Sequence, residues 1–173
     1  MNRRSVFVHG LGAVSPLAHD WPGTVSRLAA GESAIKPVTR FDVERFPCTV
    51  AAGVDLALDA PDRRLELALL AADEAWRATQ PTARSAEPER IGVFIGAESG
   101  RAPVPVIRAL AKAAGGGRTF DHQAFGVNAR SLAANMDASA VSPATVASRL
   151  SARIGAAGPS QTVSLACASG AAA

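Results

Sequence analysis

The chain has no tyrosine and only two tryptophans, two methionines, two cysteines and three histidines in 173 residues. With aromatics at 5% and a formal charge of +3 from scattered Lys and Arg, it lacks both the rings that stack bases and a clustered basic face. Nucleic-acid binding is therefore not expected. Cys48 and Cys167 lie far apart and share no metal-ligand spacing with His9, His19 or His122. A disulfide framework and a metal site are both unexpected, and a reducing cytoplasm is the simpler setting. No stretch approaches the ~18 consecutive apolar residues of a membrane span. The opening Asn2-Arg3-Arg4-Ser5-Val6-Phe7-Val8 resembles a signal at a glance, but His9, Gly10 and Gly12 break the apolar run at once. A first strand is the better reading.

What is present suits a folded chain. Hydrophobic residues make up 48% and charged ones 19%, and the length suffices for one domain with its own core. That apolar content suggests surface meant for a partner or for a missing half.

Ser5 to His9 reads as a buried strand ending in a Gly10-Leu11-Gly12 turn. A G-x-G after a strand invites a dinucleotide reading, but Ser15-Pro16 stands where the third glycine belongs and no helix opens there. Asp20 with Pro22 predicts a helix start, Val25, Leu28 and Ala29 an apolar face, and Gly31 its end. Thr49 to Val54 reads as a short peripheral strand. Asp62 caps the clearest helix, where Leu65, Ala68, Leu69, Ala72 and Trp76 repeat at helical spacing. Pro81 to Pro88 reads as a surface loop, and Arg90 to Ala97 as a central parallel strand buried on both faces. Val104 to Ala114 suits a helix ending at Gly115-Gly116-Gly117, a flexible joint with no Lys-Ser/Thr pair to make a phosphate cradle. Phe120 to Ala140 shows no clear period, and Asn128, Arg130, Asn135 and Asp137 there read as solvated. Ser142-Pro143 begins a helix with Val146, Leu150 and Ile154 on one side, running to Ala157 before Gly158-Pro159.

The last stretch, Gln161 to Ala173, organises the others. Thr162 to Ala166 predicts a buried strand, and the small residues from Ala168 onward predict a helix held by close backbone packing. Cys167 thus falls where a strand turns into a helix, where free N–H groups favour a thiolate over a thiol. Two readings are open, a nucleophile or a small buried hydrophobe. Alternating strands and helices give βαβ units and a mainly parallel sheet, whose sites lie at the carboxyl ends of strands.

The run Ala166-Cys167-Ala168-Ser169-Gly170 resembles the nucleophile motif of the β-ketoacyl-acyl-carrier-protein synthases, condensing enzymes of fatty acid and type II polyketide assembly. Three further segments agree with that family in order and spacing: Val8 to Leu17, Arg90 to Ala97, and Val141 to Ala147 leading to Gly158-Pro159. The resemblance covers the whole chain. It implies a thiolase-like α/β fold, a mainly parallel sheet covered by helices, of which residues 1–173 would be the amino-terminal half of the αβαβα architecture without its carboxy-terminal half. It also implies a decarboxylative Claisen condensation of malonyl thioester with an acyl group carried on Cys167, whose backbone N–H would be one oxyanion donor. The Ala-Cys-Ala-Ser-Gly run with the upstream Val-Ser-Pro favours the elongating type, and Cys167 itself separates the chain from synthase-like chain-length partners.

The resemblance further implies Ser99 and Thr145 along the acyl channel, Ser99 standing where the family often carries a bulky aliphatic residue. The carrier's acidic surface usually meets basic residues before the helix at Asp62. Here that segment is Leu58-Asp59-Ala60-Pro61, so Arg63 and Arg64 are the local candidates for carrier contact. No cofactor and no metal are implied, since substrates ride on the phosphopantetheine of acyl carrier protein, and a full-length form is expected to be a homodimer. The family's two catalytic histidines lie well beyond the cysteine, and His9, His19 and His122 match neither. These residues alone are expected to be inactive in condensation and poorly stable. Two other classes remain: a non-catalytic synthase-like half acting as a binding subunit, and another cysteine transferase or hydrolase, for which no general base is evident.

Overall fold

The computed structural model describes residues 5–58, 62–98, 102–115, 119–134 and 136–173, without the Thr82 side chain. The chain divides into two compact units, one formed by residues 1–93 with 148–160 and the other by 94–147 with 161–173.

In the first unit, helix α1 (Trp21–Ala29) begins as its sequence dictates. The Asp20 carboxylate accepts from the Gly23 N–H at 2.6 Å, Pro22 occupies the first turn, and Gly31 follows the helix in the left-handed region at φ +72°. Strands β1 (Lys36–Pro37) and β2 (Val50–Ala51) form a minimal antiparallel ladder, with Lys36 opposite Ala51. Helix α2 (Arg63–Ala78) starts at Asp62, and its apolar face is half-buried.

Two devices fasten the amino-terminal segment to α2. The Glu74 carboxylate accepts from the Ala13 N–H at 2.9 Å and from the Trp21 N–H at 2.8 Å. Gly10 and Gly12 lie directly against the Ala75 and Ala71 carbonyls, where a Cβ on either glycine would overlap the oxygen. The G-x-G is therefore a packing device that lets backbone meet backbone. Asp73 and Arg153 pair across the same unit at 2.8 Å. Helix α3 (Pro81–Arg84) is a single turn, followed by a 3-10 turn at Pro88–Arg90.

Strands β3 (Val93–Gly96) and β4 (Ser160–Val163) pair. The Val93 N–H donates to the Pro159 carbonyl at 2.8 Å and the Ala97 N–H to the Val163 carbonyl at 3.1 Å. Both strands advance four residues between these bonds, so the pair is parallel.

In the second unit, α4 (Val104–Ala113) packs on α5 (His122–Ala133). Asp121 caps α5 through the Ala124 N–H, and its own N–H donates to the carbonyl of the fully buried Ala114. The Phe120 ring stacks near Phe125 and His122. Helix α6 (Ala144–Ile154) supplies Val146 and Ala147 to this unit's buried residues and Leu150 to the other's.

Several expectations are corrected. Residues 5–9 form no strand: Val6, Phe7 and Val8 are largely exposed, because among the described residues no strand edge pairs with them. The apolar face of α1 is exposed too, with Leu28 at 66%. Strand β3 is shorter than 90–97 and only Val93 is buried, since its described partner is β4 alone. The predicted Pro81–Pro88 loop contains α3. The region without a clear period holds α5, where Gly126 and Asn128 weaken the helical pattern and the Asn128 amide instead donates back to the Ala124 carbonyl at 2.8 Å. Helix α6 stops at Ile154 rather than Ala157, because Gly155 turns left-handed at φ +70° and the Ala156 N–H closes onto the Ser151 carbonyl. Strand β4 lies two residues upstream of the predicted start and ends three before Ala166. Asn135, Gly116 and Gly117 lie outside the described residues.

Replacing Gly12 with alanine forces a Cβ into the Ala71 carbonyl and is expected to cost about 2 kcal/mol or more, read by urea denaturation. Gly53→Ala, with open space around its Cβ position, should change stability by no more than about 0.5 kcal/mol.

Candidate active site

The candidate site is the turn that leaves β4. After Val163 the chain passes through Ser164 and Leu165, turns left-handed at Ala166 (φ +48°), makes a 3-10 turn over Ala166–Ala168 and enters α7 (Ser169–Ala172). A left-handed alanine costs about 1–2 kcal/mol relative to the ordinary helical region. Ala166 is the only described non-glycine residue with a positive φ. Its strain sits immediately before Cys167, whose thiol is exposed.

Three groups hold this turn. Ser169 is buried at 6% exposure; its hydroxyl accepts from the Leu165 N–H at 2.8 Å and donates to the Ala166 carbonyl at 2.7 Å. Gly96, at the end of β3, lets backbone reach the turn: a Cβ there would sit 2.5 Å from the Gly170 nitrogen and closer still to the Ser169 carbonyl. Glu98 accepts from the Ala166 N–H at 2.7 Å and from the Ser164 hydroxyl at 3.0 Å. Ser169 also lies 3.5 Å from that carboxylate oxygen, but its one proton is committed to the shorter bond.

Cys167 occupies the strand-to-helix junction that its sequence predicts. Among the described residues, the close backbone packing expected around it occurs at Gly96, while Ala168 and Gly170 to Ala173 are exposed. Thr145, half-buried at the start of α6, donates its hydroxyl to the Ser139 carbonyl at 2.6 Å and so closes the turn leading into that helix. Thr162 on β4 donates to the Pro143 carbonyl at 3.3 Å, tying the same helix start to the strand that leads to Cys167. Ser99 lies outside the described residues.

Arg63 and Arg64 belong to the first unit and are both engaged locally. Arg63 donates to the Leu56 and Val54 carbonyls, and Arg64 pairs with Asp62 at 2.7 Å. The hydrogen bond from Arg64 holds the Asp62 carboxyl below the usual carboxylate range and raises the Arg64 guanidinium in turn. Their first duty is to fix the start of α2. His9, His19 and His122 are exposed, and among the described residues no group of three His, Cys, Asp or Glu could hold a metal ion.

Sequence reasoning missed Glu98 and treated Ser169 only as a small residue. A lone carboxylate directly after an apolar strand end, in Gly96-Ala97-Glu98, was the available signal. Ser169 carried none, because its role depends on burial.

The family described as Beta-ketoacyl synthase, N-terminal domain, matches residues 55–173. The chain belongs to this family. Its relatives include the 3-oxoacyl-[acyl-carrier-protein] synthase 2 of Coxiella burnetii, 35% identical over 60% of this chain and 27% of that protein. A Streptomyces cyaneus protein assigned the name polyketide beta-ketoacyl synthase 1 is 31% identical over 96% of this chain and 40% of its own length. The chain thus spans well under half the length of these synthases.

Among solved structures, the ishigamide ketosynthase/chain length factor matches with a TM-score of 0.60 at 18% identity, over 91% of this chain and 39% of that one. A type II polyketide acyl carrier protein in complex with its ketosynthase, AntDE:AntF, matches with a TM-score of 0.59 at 20% identity, over 94% and 38%. The likeness fixes the fold as part of the thiolase-like α/β architecture. No described helix is long and apolar enough to cross a membrane.

Two outcomes test this geometry. Gly96→Ala should displace the turn and cost about 2 kcal/mol or more by chemical denaturation. At the start of α2, a carboxyl held below its unfolded value contributes stability that is complete above about pH 3.8 and is lost as pH falls through its lowered folded value. Asp62→Asn keeps a capping oxygen but removes the titration, so its acid unfolding, followed by circular dichroism, should lose that part of the pH dependence.

Proposed function

We propose that this chain carries the acyl-accepting nucleophile, Cys167, of a β-ketoacyl-acyl-carrier-protein synthase of the elongating type. The reading rests on one observation: in a chain belonging to this family, a strained turn at the end of a parallel strand presents an exposed cysteine.

In the proposed reaction the Cys167 sulfur attacks the thioester carbonyl of an acyl group on the carrier's phosphopantetheine. The tetrahedral intermediate collapses by expelling the carrier thiol, leaving an acyl-cysteine. The Cys167 backbone N–H would donate to the oxyanion. A malonyl thioester then loses carbon dioxide, and the resulting carbanion equivalent attacks the acyl-cysteine, forming a carbon–carbon bond and releasing the thiol. The second half-reaction needs the two histidines that the resemblance places beyond the cysteine, in the part of the relatives that this chain does not span.

Acyl carrier protein is the proposed partner; a structural neighbour is a ketosynthase in complex with its carrier. Arg63 and Arg64 are the proposed carrier contacts, in addition to holding the start of α2. Ser99 and Thr145 remain proposed channel residues, with no cofactor required and a homodimer and cytoplasmic setting proposed for the full-length form.

Incubation with an acyl-pantetheine thioester, followed by peptide mass mapping, should place the acyl group on Cys167. Cys167→Ser should slow that transfer by at least about a hundredfold, because a serine hydroxyl without a general base is a poor nucleophile. Cys48→Ala should leave it intact. Absence of acyl-Cys167 in a folded protein would favour the non-catalytic, binding-subunit reading.

A further inference from the structure

We propose that Glu98 is the positioning residue of the nucleophile turn: its carboxylate, reaching over from the end of β3, holds Ala166 in its left-handed conformation and thereby sets the aim of Cys167. The inference deepens the acyl-transfer reading and rests on it.

Four observations converge. The strained residue directly before the nucleophile needs compensation, and its N–H donates to Glu98 at 2.7 Å, a charge-assisted bond of the stronger class. Ser164, two residues before Ala166, donates to the same oxygen at 3.0 Å, so one carboxylate grips both sides of Leu165. Both bonds span more than sixty residues of sequence, linking two different strand ends instead of closing a local turn. The other main support, Ser169, acts from inside the turn, on the Leu165 N–H and the Ala166 carbonyl. Glu98 is thus the external anchor. Without it, Ala166 can relax toward a negative φ, which would rotate the Cα–Cβ bond of Cys167 away from its present direction.

The carboxylate works here by accepting hydrogen bonds. A negative charge beside the turn does not help a thiolate, so charge alone cannot explain its placement. The glutamine amide oxygen can accept the same bonds without the charge, whereas alanine loses both. These two substitutions separate geometry from electrostatics.

In the full chain, acylation of Cys167 by an acyl-pantetheine thioester should fall about tenfold or more in Glu98→Ala and stay within about threefold of wild type in Glu98→Gln. Iodoacetamide labelling of Cys167 should follow the same order, while Cys48, exposed in the other unit, labels equally in all three proteins. Wild-type rates in Glu98→Ala, or an equal loss in both variants, would overturn the proposal. If Glu98→Ala fails to fold, Ser164→Ala removes one of the two bonds, and its acylation should fall about fivefold or more; a rate within about threefold of wild type would overturn the proposal. If the thioester never acylates wild-type Cys167, the acyl-transfer reading fails by itself. The ratio of Cys167 to Cys48 labelling then still decides the role of Glu98.

Discussion

Parallel pairing of β3 with β4 is the constraint on which the site depends. Two backbone hydrogen bonds fix the register, Val93 to Pro159 and Ala97 to Val163. That register brings the residues just after β3 beside the residues just after β4. Gly96 can then meet the Ser169–Gly170 backbone, and Glu98 can reach the Ala166 N–H. A slip of one residue would exchange the faces of the strand and lose both contacts. The Cys167 turn is therefore built by two distant pieces of chain, and each contributes part of its support.

Similar backbone-to-backbone approaches recur elsewhere. Gly10 and Gly12 rest on the carbonyls of α2, and Gly158 fits against the Ile91 and Glu89 carbonyls beside the strand pair. Small residues in this chain thus serve as contact points. The polar fastenings, Glu74 on two amino-terminal N–H groups and Arg153 on Asp73, then fix positions that apolar burial leaves loose. Among the described residues few side chains are buried, and large apolar groups such as Val6, Phe7 and Val104 are exposed. Exposed apolar surface of this kind is what a partner surface would cover.

Much of this was legible in the residues themselves. Asp20 and Asp62 announced their helices because a capping oxygen at the right spacing has few other uses. Cys167 was located by its neighbours, and four ordered motifs identified the family. Local patterns failed where distant chain decides the outcome. Val6-Phe7-Val8 has strand composition, but a strand needs an edge to pair with. Helix α5 was hidden by Gly126 and Asn128, although Asp121 stood at its start as a cap. Glu98 and Ser169 were hidden for a deeper reason. A carboxylate that accepts across more than sixty residues, and a hydroxyl that matters because it is buried, leave no periodic trace.

The left-handed alanine also limits how this site can vary. A β-branched or bulky side chain at position 166 would clash with its own backbone, so the residue beside Cys167 is confined to a short menu such as alanine, glycine or asparagine. Position 96 is confined to glycine by the turn's backbone. Side-chain variation therefore has almost no alphabet to draw on at the turn itself. Variation around the sulfur has to be written into side chains farther from it, while the turn stays constant.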